Sequence, residues 1–115
     1  MIKVRKVGEE IFVSLFQINK INTLFSDILM EQLKALVEVP GNNIFFDLSQ
    51  IKFIDSSGFE MLKKIHAISG SSASKFVLCN ISFEVKELFN LMGLNGRLEI
   101  CSKDLATESL ALEVE

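Results

Sequence analysis

The densest cluster of polar residues is the run Asp-Ser-Ser-Gly at positions 55–58, just before a stretch of helically spaced apolar residues. Ser57 and Glu60 have the spacing of a capping box, in which the hydroxyl and the carboxylate each accept a hydrogen bond from a backbone amide. With Ser57 as the cap, Ser56 lies just outside the helix and its hydroxyl is free. A phosphate on Ser56 would lie at the positive end of the helix dipole. The run therefore predicts a phosphate-accepting serine or, on its four residues alone, ordinary helix capping.

Residues that could support enzymatic catalysis are few. The Ser-Ser-Gly sequence lacks the flanking glycines of a nucleophile elbow, and the one histidine, His66, lies mid-helix beside two lysines, where a surface imidazole is expected. No paired histidines, P-loop or G-x-G-x-x-G motif occurs in the sequence. Cys79 and Cys101 are 22 residues apart and belong to no C-x-x-C motif, which predicts ordinary half-buried thiols. We therefore expect neither an enzyme nor a bound metal or cofactor.

The composition is that of one globular domain spanning residues 1–115. With 49% hydrophobic residues, the chain can build a core without disulfides or metal. A net charge of −3 and the lack of a Lys/Arg block argue against binding to a nucleic-acid backbone. Residues 1–6 have no signal-peptide apolar region, and no stretch of the sequence is long and apolar enough to span a membrane. We expect a cytoplasmic protein.

The polar run must be positioned by strands and helices that the apolar pattern predicts. Residues 2–7 and 11–16 alternate as a hairpin around a tight turn at Gly8-Glu9. Short apolar runs at 44–48 and 76–79 predict buried strands, and residues 98–101 predict a last short strand. Strands that alternate with helices pair mostly in parallel, through right-handed crossovers. The first strand should therefore be the antiparallel edge of a mixed sheet.

Four helices are predicted from apolar residues at helical spacing. The first begins near Asn22-Thr23, the second follows the polar run and stops at Gly70, the third is capped by Ser82 and ends at Gly93, and the fourth opens at Ser102. The residues predicted to face inward are, in the first helix, Leu24, Ile28, Leu29, Leu33, Leu36 and Val37; in the second, Phe59, Met61, Leu62, Ile65 and Ile68; in the third, Val85, Leu88, Phe89 and Met92; and in the fourth, Leu105, Leu110 and Leu112. The fold predicted is a small α/β domain.

The order of motifs between residues 44 and 98 resembles that of a known family. An apolar strand ends in Asp-Leu-Ser at 47–49, the Asp-Ser-Ser-Gly turn and a helix follow, and Leu-Cys-Asn-Ile-Ser at 78–82 leads to Val-Lys-Glu-Leu-Phe at 85–89 and Met-Gly-Leu at 92–94. This combination is similar to the STAS domain of bacterial anti-sigma factor antagonists. The likeness covers nearly the whole chain. It implies that the first serine of the turn, Ser56, is the site of phosphorylation.

The resemblance also implies partner switching. The unphosphorylated protein would bind an anti-sigma factor that is also a serine kinase of the GHKL type, and so release a sigma factor. Phosphorylation of Ser56 would break the complex, and a metal-dependent serine phosphatase would reset it. The free protein is expected to be a monomer. The residues expected to contact the partner are Asn19, Asn22, Thr23, Asp55, Ser57, Gly58, Phe59, Glu60 and Lys63.

Two departures from the family pattern bear on this function. The family commonly has Gly-x-Leu-Asp at the end of the second strand, where this chain has Gln17-Ile18-Asn19 and lacks the carboxylate. The helix after the turn usually begins Gly-Leu-Gly, whereas here Phe59 and Glu60 follow Gly58, which predicts an added negative charge and an exposed apolar anchor. The alternative function is a STAS module that docks permanently in a lipid-transport or stress-signalling assembly.

Overall fold

The computed structural model describes residues 2–93 and 98–101. In chain order the elements are β1 (Ile2–Val7), β2 (Glu10–Leu15), β3 (Lys20–Ile21), α1 (Thr23–Val37), β4 (Asn43–Asp47), β5 (Phe53–Ile54), α2 (Ser56–Ser71), β6 (Lys75–Cys79) and α3 (Phe83–Leu91). Asn22 and Ser82 cap α1 and α3 through their side-chain oxygens, as the sequence predicts. Gly93 follows α3 at φ +66°, the left-handed conformation predicted for a helix end.

The four longer strands form one mixed sheet in the order β1-β2-β4-β6. The β1–β2 pair is antiparallel, and both the β2–β4 and β4–β6 pairs are parallel. Gly8 turns the hairpin at φ +64°, a conformation that glycine adopts without steric cost. The predicted mixed sheet with an antiparallel edge strand is confirmed.

The main core lies between one face of this sheet and the three helices. Alternate residues of β2, β4 and β6 meet the inner faces of α1, α2 and α3 in one continuous cluster. A smaller cluster, formed by Val77 and Cys79 with Phe45 and Cys101 packed against them, is separate from it. The sheet is therefore apolar on both faces, as expected for strands in its interior.

A second, two-stranded sheet was not predicted. Its strands β3 and β5 pair in parallel, with Lys20 opposite Phe53 and Ile21 opposite Ile54. Two-residue strands are too short to show any periodicity in the sequence. This ladder matters because it immediately precedes both α1 and α2, so that it sets how the two helices begin.

Three expectations about the elements differ from the structure. Leu24, Ile28 and Met92, predicted to face the core, are exposed by 72%, 45% and 49%. The predicted last strand is reduced to a single parallel bridge between Leu78 and Ile100. Three helices are present among the described residues, whereas the predicted fourth, from Ser102, lies outside them, as does Leu94.

Candidate functional site

The β3–β5 ladder brings the starts of α1 and α2 side by side. The amide of Lys52 donates to the carbonyl oxygen of Asn19 at 2.7 Å, and the amide of Asp55 donates to that of Ile21 at 3.0 Å. Each strand is followed within two residues by a helix. The polar residues at the two helix starts are therefore neighbours in space, although more than thirty positions separate them in the chain.

Asp55 caps α2. Its Oδ1 accepts hydrogen bonds from the amide of Gly58 at 3.0 Å and from the hydroxyl of Ser57 at 2.6 Å, and its Oδ2 accepts one from the amide of Thr23 at 3.2 Å. The prediction that Ser57 caps the helix is therefore wrong. Aspartate and serine are about equally good caps, and the pairing of Asp55 with Ile21 fixes the helix start two residues earlier.

The hydrogen bonds to Asp55 lower the pKa of its carboxyl group. The Ser57 hydroxyl is the largest cause, and the backbone amides of Gly58 and Thr23 add to it. Each of these donors favours the charged form of the carboxylate, and together they outweigh desolvation, which raises the pKa. Asp55 therefore remains ionised at neutral pH and holds a negative charge one residue before Ser56.

The hydroxyl of Ser57 is the centre of a network between the two helices. It donates to Asp55 and is within 3.4 Å of the Thr23 hydroxyl and 3.3 Å of the Ser26 hydroxyl. Ser26 is 5% exposed on the inner side of α1 and was not predicted to belong to the site. A serine among helically spaced leucines gives no sequence signal of its own, because the partner that explains it lies on another helix.

Ser56 is the first residue of α2, and it is exposed. Its hydroxyl makes no hydrogen bond to the described part of the chain, whereas the hydroxyl of its neighbour Ser57 is fully engaged. The first amides of a helix have no acceptor in the preceding turn, and here Asp55 satisfies that of Gly58. The hydroxyl of Ser56 thus stands free at the positive end of α2, as predicted, but because Asp55 takes the cap.

Gly58 allows α2 to start close to the β3–β5 ladder. A Cβ atom on Gly58 would lie 2.6 Å from Cγ2 of Ile54, closer than real Cβ atoms approach, and 3.0 Å from Cγ2 of Ile21, which is a tight contact. Phe59 is only 2% exposed and packs edge-on against Phe89, with ring centroids 5.3 Å apart. The expectation that Phe59 is an exposed anchor is therefore wrong, since it belongs to the core.

Glu60 and Lys63 form an exposed ion pair, with Nζ 2.8 Å from Oε1. The hydrogen bond and the positive charge of Lys63 lower the pKa of the Glu60 carboxyl group. Together with Ser56 they occupy positions i, i+4 and i+7 of α2, so the three residues share one face of the helix. The predicted capping bond of Glu60 to the backbone is replaced by this pair.

The adjoining starts of α1 and α2 are here called the corner, and the remaining predicted contact residues lie around it. The side-chain oxygen of Asn22 accepts the amide of Leu24 at 3.0 Å, and the exposed side chain of Asn19 makes no hydrogen bond to any described residue. Leu24 and Ile28, one turn apart on α1, are the exposed apolar residues that the sequence placed in the core.

The described residues were compared with the requirements of a metal site and of a membrane-spanning helix. No group of three or more histidine, cysteine, aspartate or glutamate side chains is placed to hold a metal ion in residues 2–93 and 98–101. Across the same residues, none of the helices combines the length and apolarity that crossing a bilayer requires.

Three solved structures, of two different proteins, share this fold. An anti-sigma factor antagonist (STAS) domain protein from Planctomyces limnophilus is 18% identical, with a TM-score of 0.75 over 99% of this chain and 98% of that one. The anti-sigma factor antagonist SpoIIAA in its unphosphorylated form is 16% identical, with a TM-score of 0.71 over 96% of each chain. The Bacillus cell fate determinant SpoIIAA in the phosphorylated form is 16% identical, with a TM-score of 0.65 over 96% and 99%.

The likeness to these structures is one of fold, since the identities are low. No curated protein sequence matches the chain. The sequence model of the STAS domain matches residues 8–106, which include every element from β2 to α3 and the whole corner around Ser56. The chain therefore belongs to the STAS domain family.

Proposed function

We propose that the protein is an anti-sigma factor antagonist that is switched off by phosphorylation of Ser56. The observation that carries the proposal is the free, exposed hydroxyl of Ser56 at the first position of α2, next to a cap that does not need it. A fold relative, SpoIIAA, is known in both an unphosphorylated and a phosphorylated form. The partner would be an anti-sigma factor that is also a GHKL-type serine kinase, and a metal-dependent serine phosphatase would restore binding.

The docking surface would lie where α1 and α2 begin. Ser56, Glu60 and Lys63 form its α2 side, and exposed Leu24 and Ile28 supply apolar area on α1. Apolar residues ringed by polar ones are typical of the centre of a protein interface. Asn19, Asn22 and Thr23 would contribute to its rim, whereas Asp55, Ser57 and Gly58 would act from beneath by fixing the shape of the corner.

Phosphorylation would change this surface without unfolding it. A phosphoserine carries close to two negative charges, which the start of α2 tolerates because unpaired amides and the helix dipole favour an anion there. The same charges would stand one turn from Glu60 on the partner-facing side. Against a partner surface with carboxylates, repulsion and desolvation of several kcal/mol would reduce affinity by orders of magnitude.

The test combines phosphate transfer with binding. The purified chain is incubated with the GHKL-type anti-sigma factor kinases of the same organism and ATP, and intact mass is measured. We expect one phosphate on the wild type, none on Ser56→Ala, and retained transfer on Ser71→Ala, which removes an exposed hydroxyl from the other end of α2. Loss of transfer in Ser71→Ala as well would indicate a folding effect rather than a site.

Binding to the same kinase is measured by calorimetry for two charge mimics. Ser56→Asp should weaken binding at least about tenfold, and Ser71→Asp, which puts the same charge roughly 22 Å away along α2, should not. If no kinase transfers phosphate and Ser56→Asp binds its partner as well as the wild type does, the switch is excluded. The permanently docked STAS module would then be the better description.

A further inference from the structure

Cys79 and Cys101 are 22 residues apart in the sequence but are neighbours in the structure. Leu78 of β6 forms a parallel bridge with Ile100. In this bridge the amide of Leu78 donates to the carbonyl oxygen of Glu99 at 2.9 Å, and the amide of Cys101 donates to that of Leu78 at 2.8 Å. Each cysteine is one residue beyond the bridge, so the register sets the two side chains opposite each other on the same side of the sheet.

The separation and the contacts of the two side chains suit a disulfide. Neighbouring strands lie about 4.8 Å apart, and the Cα atoms of disulfide-bonded cysteines are usually about 4.4–6.8 Å apart. Cys101 packs against the small cluster of Val77 and Cys79. Burial raises the pKa of the Cys79 thiol, and the charge of Cys101 and a hydrogen bond with it raise that pKa further. Both cysteines carry thiols in this structure, so the bond between them can still form.

We propose that Cys79 and Cys101 are a reversible redox site, which takes a low-molecular-weight disulfide such as oxidised glutathione as its substrate. The resulting bond joins β6 to the segment around Ile100 and closes a loop that contains α3. The start of α3 is already attached elsewhere, because the hydroxyl of Ser82 donates to the carbonyl oxygen of Ile51 at 2.8 Å. The disulfide holds the other end of the loop, where the described structure has a single bridge.

The exchange proceeds in two balanced steps. The Cys101 sulfur, as a thiolate, attacks one sulfur of oxidised glutathione, whose S–S bond breaks, and the departing glutathione thiolate takes up the proton that Cys101 lost. The Cys79 sulfur then loses its proton and attacks the Cys101 sulfur, which expels the second glutathione thiolate, and this thiolate is protonated in turn. Two protein thiols thus give up two electrons to form one disulfide, and one oxidised glutathione is reduced to two glutathione molecules. Cys79 reacts second because its raised pKa keeps it protonated while Cys101 carries a charge.

The first measurement is the intact mass of the full chain after equilibration in mixtures of reduced and oxidised glutathione, with remaining thiols trapped by acid and alkylation. We expect the wild type to lose two hydrogens and to carry no glutathione, because the second thiol displaces the glutathione from the first. Cys79→Ser should instead keep one glutathione on Cys101 at the same glutathione ratio. Glutathione that persists on the wild type at that ratio, or protein dimers joined by disulfides, would overturn the proposal.

The second measurement separates a site built by the fold from the mere presence of two cysteines. The equilibrium constant for forming the intramolecular disulfide is measured in the native chain and in the chain unfolded by urea. It should be roughly a hundredfold larger in the native chain, because the fold already holds together the ends of a loop of this length. A native constant no larger than that of the unfolded chain would refute the site.

The matched control is the double variant Ile100→Cys/Cys101→Ala. Its loop is one residue shorter, so its constant in urea should equal that of the wild type. The thiol introduced at position 100 projects from the opposite face of the sheet to Cys79, so that the hundredfold native preference should be lost. If the control keeps the same native preference as the wild type, the register of the bridge does not create the site and the proposal fails.

Oxidation should also stabilise the protein, because the disulfide restricts the unfolded chain. The melting temperature of the wild type should rise by about 8 °C or more on oxidation and return to its starting value after reduction with dithiothreitol. Cys101→Ala, treated in the same way, should show no such rise. A melting temperature that falls when the wild type is oxidised would mean that the bond distorts β6, and the pair would then not be a native redox site.

Discussion

Asp55 and the two serines after it have similar chemistry but different environments. Asp55 accepts three hydrogen bonds within 3.2 Å, Ser57 shares its hydroxyl among neighbours on two helices, and the Ser56 hydroxyl has no partner in the described chain. Replacing each of the three residues by alanine should therefore lower the free energy of unfolding by a different amount. We expect Asp55→Ala to lower the free energy of unfolding by about 1–2 kcal/mol, Ser57→Ala by about 1 kcal/mol, and Ser56→Ala by less than about 0.5 kcal/mol. Urea denaturation measures the series, and a loss at Ser56 as large as that at Asp55 would contradict the assignment of the cap.

The lowered pKa of Asp55 makes its contribution depend on pH. A carboxyl group whose pKa is lower in the folded state stabilises that state. The stabilisation is complete above the pKa of the unfolded chain, near 3.9, and is lost as the pH falls through the pKa of the folded protein. The difference in unfolding free energy between wild type and Asp55→Asn should thus be constant above about pH 5 and shrink below about pH 4. Asp27→Asn, on the exposed side of α1, is the reference substitution. A difference that grows with acidity would mean that Asp55 is not held in its charged form.

The sequence predicted a free hydroxyl on Ser56, but it did so by assigning the cap to the wrong residue. Asp55, Ser56 and Ser57 are all good N-cap residue types, so the preference of each type for the cap position could not choose among them. The spacing of Ser57 and Glu60 favoured Ser57. The choice is made by the hydrogen bond from Asp55 to Ile21, a contact between segments 34 residues apart. Glu60 then pairs with Lys63 instead. The exposed hydroxyl was predictable, whereas the residues that hold it in place were not.

At the level of elements, α2 owes its position to a glycine. Because a Cβ on Gly58 would stand 2.6 Å from Ile54, Gly58→Ala must push the start of α2 off the β3–β5 ladder, at a cost of about 1–3 kcal/mol. Gly70→Ala is the matched control in the same helix: nothing lies within 4 Å of its added Cβ, and removal of a helical glycine should stabilise by about 0.5–1 kcal/mol. The melting temperature measured by thermal denaturation should therefore fall for Gly58→Ala and rise for Gly70→Ala. Two shifts of the same sign would show that α2 does not need this close approach.

The edge-on contact of Phe59 and Phe89 joins α2 to α3. Both rings are fully enclosed, so that each change to alanine should cost about 3–5 kcal/mol. A double-mutant cycle should in addition show a coupling of about 0.5–1.5 kcal/mol between the rings. Phe46 and Phe76, whose centroids are 6.0 Å apart at 33°, give a comparison pair in the same core. Strict additivity of Phe59→Ala and Phe89→Ala would mean that the two helices are held together by other contacts.

The elements themselves were largely readable from the sequence, because periodic apolar residues specify long helices and buried strands. The features that the sequence did not reveal were very short strands and contacts between elements that are distant in the chain. The strands β3 and β5 have two residues each and become strands only by pairing with each other. Leu24 and Ile28 have core-like spacing, yet both are exposed, and the buried residues of α1 are Ser26, Leu29, Leu33 and Val37. The sequence therefore predicted the scaffold better than the corner that carries the candidate site.

At the scale of the whole molecule, the apolar core is separate from the corner of α1 and α2 that is proposed to bind a partner. Its apolar core lies on the two faces of the sheet, whereas the helix starts at the corner of α1 and α2 are joined by hydrogen bonds between polar groups. A change of charge at that corner can therefore alter what binds while leaving the core untouched. The net charge of −3 becomes roughly −5 on phosphorylation, a change concentrated at one point of the surface.

This separation predicts how phosphorylated Ser56 affects folding. The anion at the start of α2 should stabilise the helix by about 0.3–1 kcal/mol, which raises the melting temperature by up to about 4 °C for a domain of this size. The stabilisation is electrostatic and exposed, so it should vanish in 1 M salt, where the Debye length is about 3 Å. Calorimetry of the phosphorylated and unphosphorylated chain at low and high salt measures both effects, with Ser56→Ala as the uncharged reference. A fall in melting temperature on phosphorylation would show that the phosphate disrupts the corner, in which case loss of partner binding would come from local unfolding rather than from charge at an intact surface.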